Sequence, residues 1–460
     1  MAASLQLVSK IRTMPCVILF CRNKTIPIAV TLNRVDNYTV RNQDDRMLAS
    51  LRYPEFRLLW MASLSAGGAS WALIVTRGWL VYSLQGNSIW VGVVTFAAMI
   101  PMFLAPPIVG ILADKFDRRK LLAVLFLLQF AHNVALAGLV GFGIIEIWHV
   151  VVLSFVNGFT RASELPVAQS LFPALVPHSE LVNAVSLNAA TMHGSRLVGP
   201  ALIAPLMVWV GVEGALIACT CFYVLSFVLV QRIRTVSIGI VDETRTAYQN
   251  FLVGVNFIYR HSVLLPLAIT VFLHCCLTMS FESLLPVVAE RLFPQGAVGT
   301  TYLMMAVGAG ALVFVLSTAG IKNETVRGRG FLLMAIISGL SPAILGISDS
   351  NNLALIGCCL MGGSQAAYMA ISNAVVQLET PDGIRGRVLS VYFWHIGGMM
   401  AVLNLGNAAV SDRIGIGWVL SVEGASFLVF LGLSLSITSL RRLYGFGTAA
   451  NRLRRGKILR

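Results

Sequence analysis

The chain has 460 residues, 57% of them hydrophobic and 12% charged, with a formal net charge of +14 and a mean hydropathy of +0.79. Too few polar residues remain to coat a soluble globule of that size, which excludes a water-soluble enzyme or binding domain. The positive excess follows a topological pattern set out below, so no nucleic-acid partner is expected.

Residues 1–50 form an N-terminal extension. Its apolar runs, MPCVILFC and IPIAVTL, are separated by Arg22, Asn23 and Lys24, so neither reaches the roughly 20 residues that cross a bilayer. Nor does it hold the uninterrupted core and small-residue cleavage site of a secretory signal. Met47 opens MLASLRYPEFRLLW, a compact lead into the first span, and is the expected native start.

Twelve apolar stretches follow, at 58–83, 88–113, 119–143, 147–170, 181–209, 213–232, 263–288, 298–320, 330–348, 353–377, 386–410 and 416–439. Hydrocarbon obliges backbone polar groups to pair within their own segment, and strand alternation is absent, so an all-α polytopic membrane protein is expected. It divides into six helices (51–232), a polar cytoplasmic linker (233–262), six more helices (263–440) and a basic tail (441–460). The halves echo one another: RASELPVAQSLFPALVPHSELVNAVSLNAA and QAAYMAISNAVVQLETPDGIRGRVLSVYFW both join a small-residue helix to a long one through a short Pro-and-acid turn. Repeated halves place a substrate site between them near the midplane, exposed to each side in turn.

Orientation follows from the basic residues. With both termini cytoplasmic, the inner segments hold 29 of the 34 Lys and Arg. The outer loops keep Arg291 and Arg413, while Arg77, Arg161 and Arg196 fall within spans. That is the positive-inside pattern of a multi-pass protein of the plasma (inner) membrane. The cysteines are near neighbours on helices or lie in the extension, so neither disulfides nor a metal site are expected. No phosphate-binding G-x-x-x-x-G-K-[ST] occurs, and no cofactor is expected.

One stretch resists this apolar grain. In GILADKFDRRK, six of the seven residues from Asp114 to Lys120 are charged. Gly110-x-x-x-Asp114-Lys115-x-x-Arg118-Arg119 resembles the loop between helices two and three of the major facilitator superfamily. Asp117 stands where that pattern has glycine, as in the DRxDRR form of the enterobactin-exporter and macrolide-efflux branch. FRLLW, GWLVYSL, PDGIRGRVLSVY and SRLVGPA resemble the same branch, and the likeness covers about residues 50–440.

The resemblance implies a twelve-helix carrier in which Asp114 braces the N-terminus of helix eleven when the cavity faces outward. An anion there is stabilised by exposed N–H groups and the helix dipole. Helix eleven starts near Asp382, with Arg385 and Arg387 following, so Arg118 is expected to pair with Asp382 or Glu379. Gly194, Gly199 and Pro200 resemble the antiporter motif of helix five, which seals the cavity; Ile203-Ala204 replaces its closing glycines.

The expected spans hold two acids clear of their ends, Glu164 and Glu282. Arg161 and Glu164 are three apart and can neutralise one another on one helical face. Glu282 has no basic neighbour in sequence, and hydrocarbon penalises its charged form, which suits a proton carrier. Arg196 contacts a polar or anionic substrate or holds a structural network. Arg77 is placed to snorkel outward. His193, His274 and His395 are titrating groups or neutral hydrogen-bonding ones. Trp71, Trp79, Phe96, Met99, Tyr368 and Trp394 are candidates for an apolar cavity wall.

The expected function is proton-coupled export of a small amphiphilic compound, of the drug or siderophore class, by a monomer in the bilayer. An importer or lipid-type flippase on the same fold, or a membrane sensor without transport, remains open at this point.

Overall fold

The computed structural model describes residues 49–103, 105, 112, 115–177, 180–237, 247–318, 323–381 and 384–446. The extension with Met47, and Gly110, Asp114 and Asp382 of the expected latch, lie outside them, as do the side chains of His193 and His395. Among the described residues all regular structure is helical, opening with a 3-10 turn at Ala49–Arg52. The first half runs through α1 (Pro54–Gln85), α2 (Ser88–Met99), α3 (Arg118–Gly141), α4 (Ile147–Leu175), α5 (Leu181–Trp209) and α6 (Gly211–Gln231). Then follow α7 (Ala247–Arg260), α8 (Leu264–Thr278), α9 (Leu285–Leu292) and α10 (Gly296–Thr318). The chain continues through α11 (Glu324–Gly346), α12 (Asn351–Glu379), α13 (Arg385–Ile414), α14 (Ile416–Ser434) and α15 (Thr438–Leu443).

Each of the twelve expected spans overlaps at least one of these helices, and the seventh overlaps both α8 and α9. Nine segments among the described residues, counting α8 and α9 as one, are by themselves long and apolar enough to cross a membrane. The other three are α2, described over a shorter length, α5, apolar chiefly in its second half, and α4, which carries Asn157, Arg161 and Glu164.

Close helix approach is bought with glycine, and the same approach recurs in both halves. A Cβ on Gly158 of α4 would fall on the carbonyl of Ala98 in α2; a Cβ on Gly362 of α12 would fall on that of Val307 in α10. The fourth span thus presses on the second as the tenth span, α12, presses on the eighth, α10. Lipid supplies no hydrophobic drive between helices, so backbone-to-backbone van der Waals contact of this kind holds them together.

The halves meet along two antiparallel seams. α2 and α13 touch through Ser88 and Asp412, Gly92 and Ala408, Met99 and Asn404, and Phe103 and Trp394. α5 and α10 meet at Met207 and Thr301, and at Arg196-Leu197 against Gly308.

Two elements differ from expectation. Span seven is not one helix over 263–288: α8 stops at Thr278, and a 3-10 turn, Glu282–Leu284, leads into α9. Polar side chains occupy the freed backbone groups, as hydrocarbon requires. Gln365 donates to the Thr278 carbonyl (2.5 Å), Asn407 donates to the Ser280 carbonyl (2.7 Å), and the Ser283 N–H donates to Asn404 Oδ1 (3.4 Å). The linker, expected as a polar connection, contains α7. Ile258 of α7 is buried, Phe251 and Val255 pack on the second-half core, and Gly254 lets the helix approach the Arg387 carbonyl of α13.

Candidate substrate and gating sites

The break in span seven has a chemical consequence: it turns Glu282 toward the first half. There Glu282 Oε1 lies 3.5 Å from Arg196 Nη2 of α5, with the two side chains only 8% and 11% exposed. The lone carboxylate expected from sequence is therefore one end of an ion pair bridging the halves. Arg196 also lies over the Trp71 ring of α1, 4.6 Å from its centroid, and Arg161 of α4 lies over the same ring at 5.0 Å. A guanidinium over an indole face is attracted by the ring quadrupole, more strongly where water is excluded.

Arg77 does not snorkel to the membrane edge. It is 5% exposed and donates to Asn157 Oδ1 of α4 (3.3 Å), while Asn157 donates to Gln129 Oε1 of α3 (2.5 Å). One donor group of Arg77 is thus satisfied inside the bundle, and with it the incentive to reach for water. Arg77, Arg161 and Glu282 line a cavity of about 20 Å³ between the halves, with Val91, Val94 and Met99 among its apolar walls. That is room for about one water molecule. Arg161 and Glu164 form no ion pair among the described residues; Arg161 turns to Trp71 instead.

The other expected residues are scattered. Tyr368 is buried in the second half, stacked on His274 and Phe331. His274 shares a hydrogen bond with Ser338 Oγ (2.9 Å) and packs against Phe427. Trp394 stacks on Phe103 with centroids 4.5 Å apart, Trp79 sits beside Tyr82 and Gly296, and Phe96 is half-buried on α2. Gly199 presses on Gly68 of α1, within its own half; a Cβ on Gly194 would meet nothing within 4 Å, and Pro200 lies inside α5. A third acid lies inside a span, Glu423 of α14.

At the charged loop, Asp117 is the N-cap of α3. Its carboxylate accepts from the Arg119 N–H (3.1 Å) and the Ser237 N–H (3.4 Å) and lies 3.5 Å from the Arg119 guanidinium. Capping explains why an acid suits this position. Arg118 donates to the Ser170 carbonyl (2.9 Å) and to Ser237 Oγ (3.4 Å), and Arg119 to the Ile233 carbonyl (2.7 Å). The loop therefore fastens α3 to α4 and to the end of α6. Glu379 lies 3.9 Å from His261 Nε2; Lys115 is exposed, and Arg385 and Arg387 open α13. The expected partner Asp382 lies outside the described residues.

A contact that sequence reading missed closes the opposite end of the α2–α13 seam. Asp412, near the C-terminus of α13, accepts from the N–H groups of Ser88 and Ile89 (3.2 Å each) and from Ser88 Oγ. An acid on one half thus caps the N-terminus of α2 on the other. Replacing the exposed Asp412 by alanine is expected to weaken closure there by about 1 kcal/mol, roughly fivefold in the closed-to-open ratio. Labelling of Ala408→Cys by a water-soluble maleimide, in a background lacking other cysteines, reads this; an unchanged rate would show that Asp412 does not hold the end shut.

Two seams, a broken helix, and an ion pair with facing guanidinium groups between two helical bundles define a multi-span membrane transporter. The chain belongs to the Transmembrane secretion effector family (MFS_3), whose profile matches residues 46–445. It is similar to a staphyloferrin A transporter of Staphylococcus aureus, 24% identical over 78% of this chain and 89% of that protein. It is also similar to a multidrug efflux pump, Tap, of Mycolicibacterium fortuitum, 24% identical over 73% and 83% of the two chains. A macrolide efflux protein A of Streptococcus pyogenes is 21% identical over 78% and 89%. Among solved structures, a mutant of the nucleoside transporter NupG shares the fold with a TM-score of 0.68 at 11% identity, covering 84% of this chain and all of that one.

Proposed function

We propose that the protein exports a small amphiphilic compound by alternating access, driven by protons, with Glu282 as the proton-carrying group. The Arg196–Glu282 pair carries this reading. It joins the halves beside the central cavity, and a proton on Glu282 removes its attraction for Arg196 and frees the halves to part. A coupling group must be able to bias two states separated by a few kcal/mol, and a buried ion pair has that scale. The efflux pumps among its relatives favour the outward direction. The positive-inside pattern assigns the Asp412 end to the outside, making this conformation the one closed outward.

Substrate-driven proton flux in liposomes tests the assignment, over a panel of hydrophobic drugs and siderophores. Glu282→Gln is expected to abolish proton movement while leaving substrate binding measurable. Proton flux equal to wild type would transfer the role to another acid, with Glu164 and Glu423 next.

A further inference from the structure

The central cluster carries more positive than negative charge. Three guanidinium groups, Arg77, Arg161 and Arg196, gather around the carboxylate of Glu282 and the ring of Trp71, with Glu164 one helical turn from Arg161. Arg196 and Glu282 answer one another at 3.5 Å. The remaining cations do not share their charge so well. Neither has a carboxylate in ion-pair reach among the described residues: Arg77 donates to the neutral amide of Asn157 and meets Glu282 only across the cavity, and Arg161 lies over the face of Trp71. Both line the same cavity, where two like charges repel. Like charges removed from water and left unpaired are expensive to hold. Arg196 Nε, moreover, is buried without a hydrogen-bond partner.

We infer that this cavity takes the oxyanion of an amphiphilic organic anion, a carboxylate or sulfonate, held between Arg161 and Arg77. A guest of that charge relieves the repulsion between the two guanidinium groups, and charge-assisted bonds to arginine are the strong, directional kind. Val91, Val94 and Met99 accept an apolar body beside the charged end. Because Glu282 is already engaged by Arg196, its charge is largely cancelled where the guest enters. The cavity holds about one water in this conformation, so the guest enters as the halves part. The inference deepens the transport reading by naming its substrate class, yet binding alone tests it.

The test is equilibrium binding to the purified full chain in detergent, using 1-pyrenebutyrate, its neutral amide and pyrenebutylamine. These probes share one apolar body and differ in the charge of one end. The wild type is expected to prefer the carboxylate over the amide about tenfold, the worth of one charge-assisted bond. Arg161→Gln and Arg77→Gln should erase that preference, Arg161→Lys should keep part of it, and the lipid-facing Val313→Ala should leave it intact. If a Gln variant fails to elute as folded protein, the Lys variant and the wild-type charge preference decide the matter. Equal binding of the three probes, preference for the amine, or a preference that survives Arg161→Gln would overturn the proposal. So would loss of the preference when gluconate is exchanged for chloride, which would assign the site to a small inorganic anion. Proton flux plays no part in this measurement, so failure of the coupling assignment and failure of the anion site remain distinct results.

Discussion

Arg196→Gln is expected to destabilise the protein by about 3 kcal/mol, while adding Glu282→Gln to it should restore most of the loss. Breaking a buried pair from one side costs about 3–5 kcal/mol, because the remaining charge has neither water nor partner. The lower end applies here, since the contact is 3.5 Å and slightly exposed. Thermal unfolding of the two single variants and the double variant in detergent gives the coupling directly. The double variant should be more stable than Arg196→Gln alone, because it removes the orphaned carboxylate. Strictly additive losses would mean that the two groups do not interact, and the cross-half bridge would fall with them. Trp71 should sharpen the effect: Arg196 also holds an indole face at 4.6 Å, so Gln forfeits that contact as well.

Gly308→Val is expected to pry open the α5–α10 seam. A Cβ at this position would stand 2.7 Å from the backbone of Arg196 and Leu197, atoms that cannot rotate away as a side-chain tip can. Overpacking of this kind costs about 1–3 kcal/mol. Most of that cost is avoided if the halves separate, so the variant should favour the conformation in which the seam is apart. Maleimide labelling of Thr301→Cys faster by about 30- to 160-fold is expected at ~2–3 kcal/mol. Thr301 is the right reporter because it is fully buried against Met207 on the same seam. Labelling unchanged from the glycine parent would show that the seam stays closed and that the strain is absorbed within one half. The same displacement would move Arg196 away from Glu282, so this variant and the charge variants probe one device from two sides.

The charged loop shows how a local motif can be legible while its contacts are not. Six charges in seven residues announced an aqueous boundary between two spans, and a boundary is where α3 begins. Asp117 as the cap of α3 is a short-range fact, two residues from the N–H it binds, and such pairings are within reach of sequence reasoning. Arg118 is different: its bonds go to Ser170 and Ser237, 52 and 119 residues away, and only helix packing brings those groups near. Asp412 was passed over because a helix-terminal acid in an outer loop looks like ordinary solvated charge until α2 arrives beside it. Glu423, by contrast, was legible: it stands as deep within its expected span, 416–439, as Glu164 and Glu282 do in theirs.

What the sequence by itself determined is the class and plan of the protein: a helical membrane protein of two like halves and a branch of transporters. The helical membrane class is a sum over local composition, since bilayer insertion weighs about 20 residues at a time and the positive-inside bias counts charges loop by loop, whereas the halves and the branch are read from the likeness of short motifs. What only the tertiary structure decided is which charges meet. Arg77 turned inward because Asn157 on another helix offered it an acceptor, and Tyr368 is held where His274 and Phe331 stack on it. Glu282 gained Arg196 because span seven breaks at Met279, where side chains from α12 and α13 replace the lost helical bonds. Hydrocarbon makes every such polar group find a partner, but the partner is chosen by packing between helices far apart in the chain.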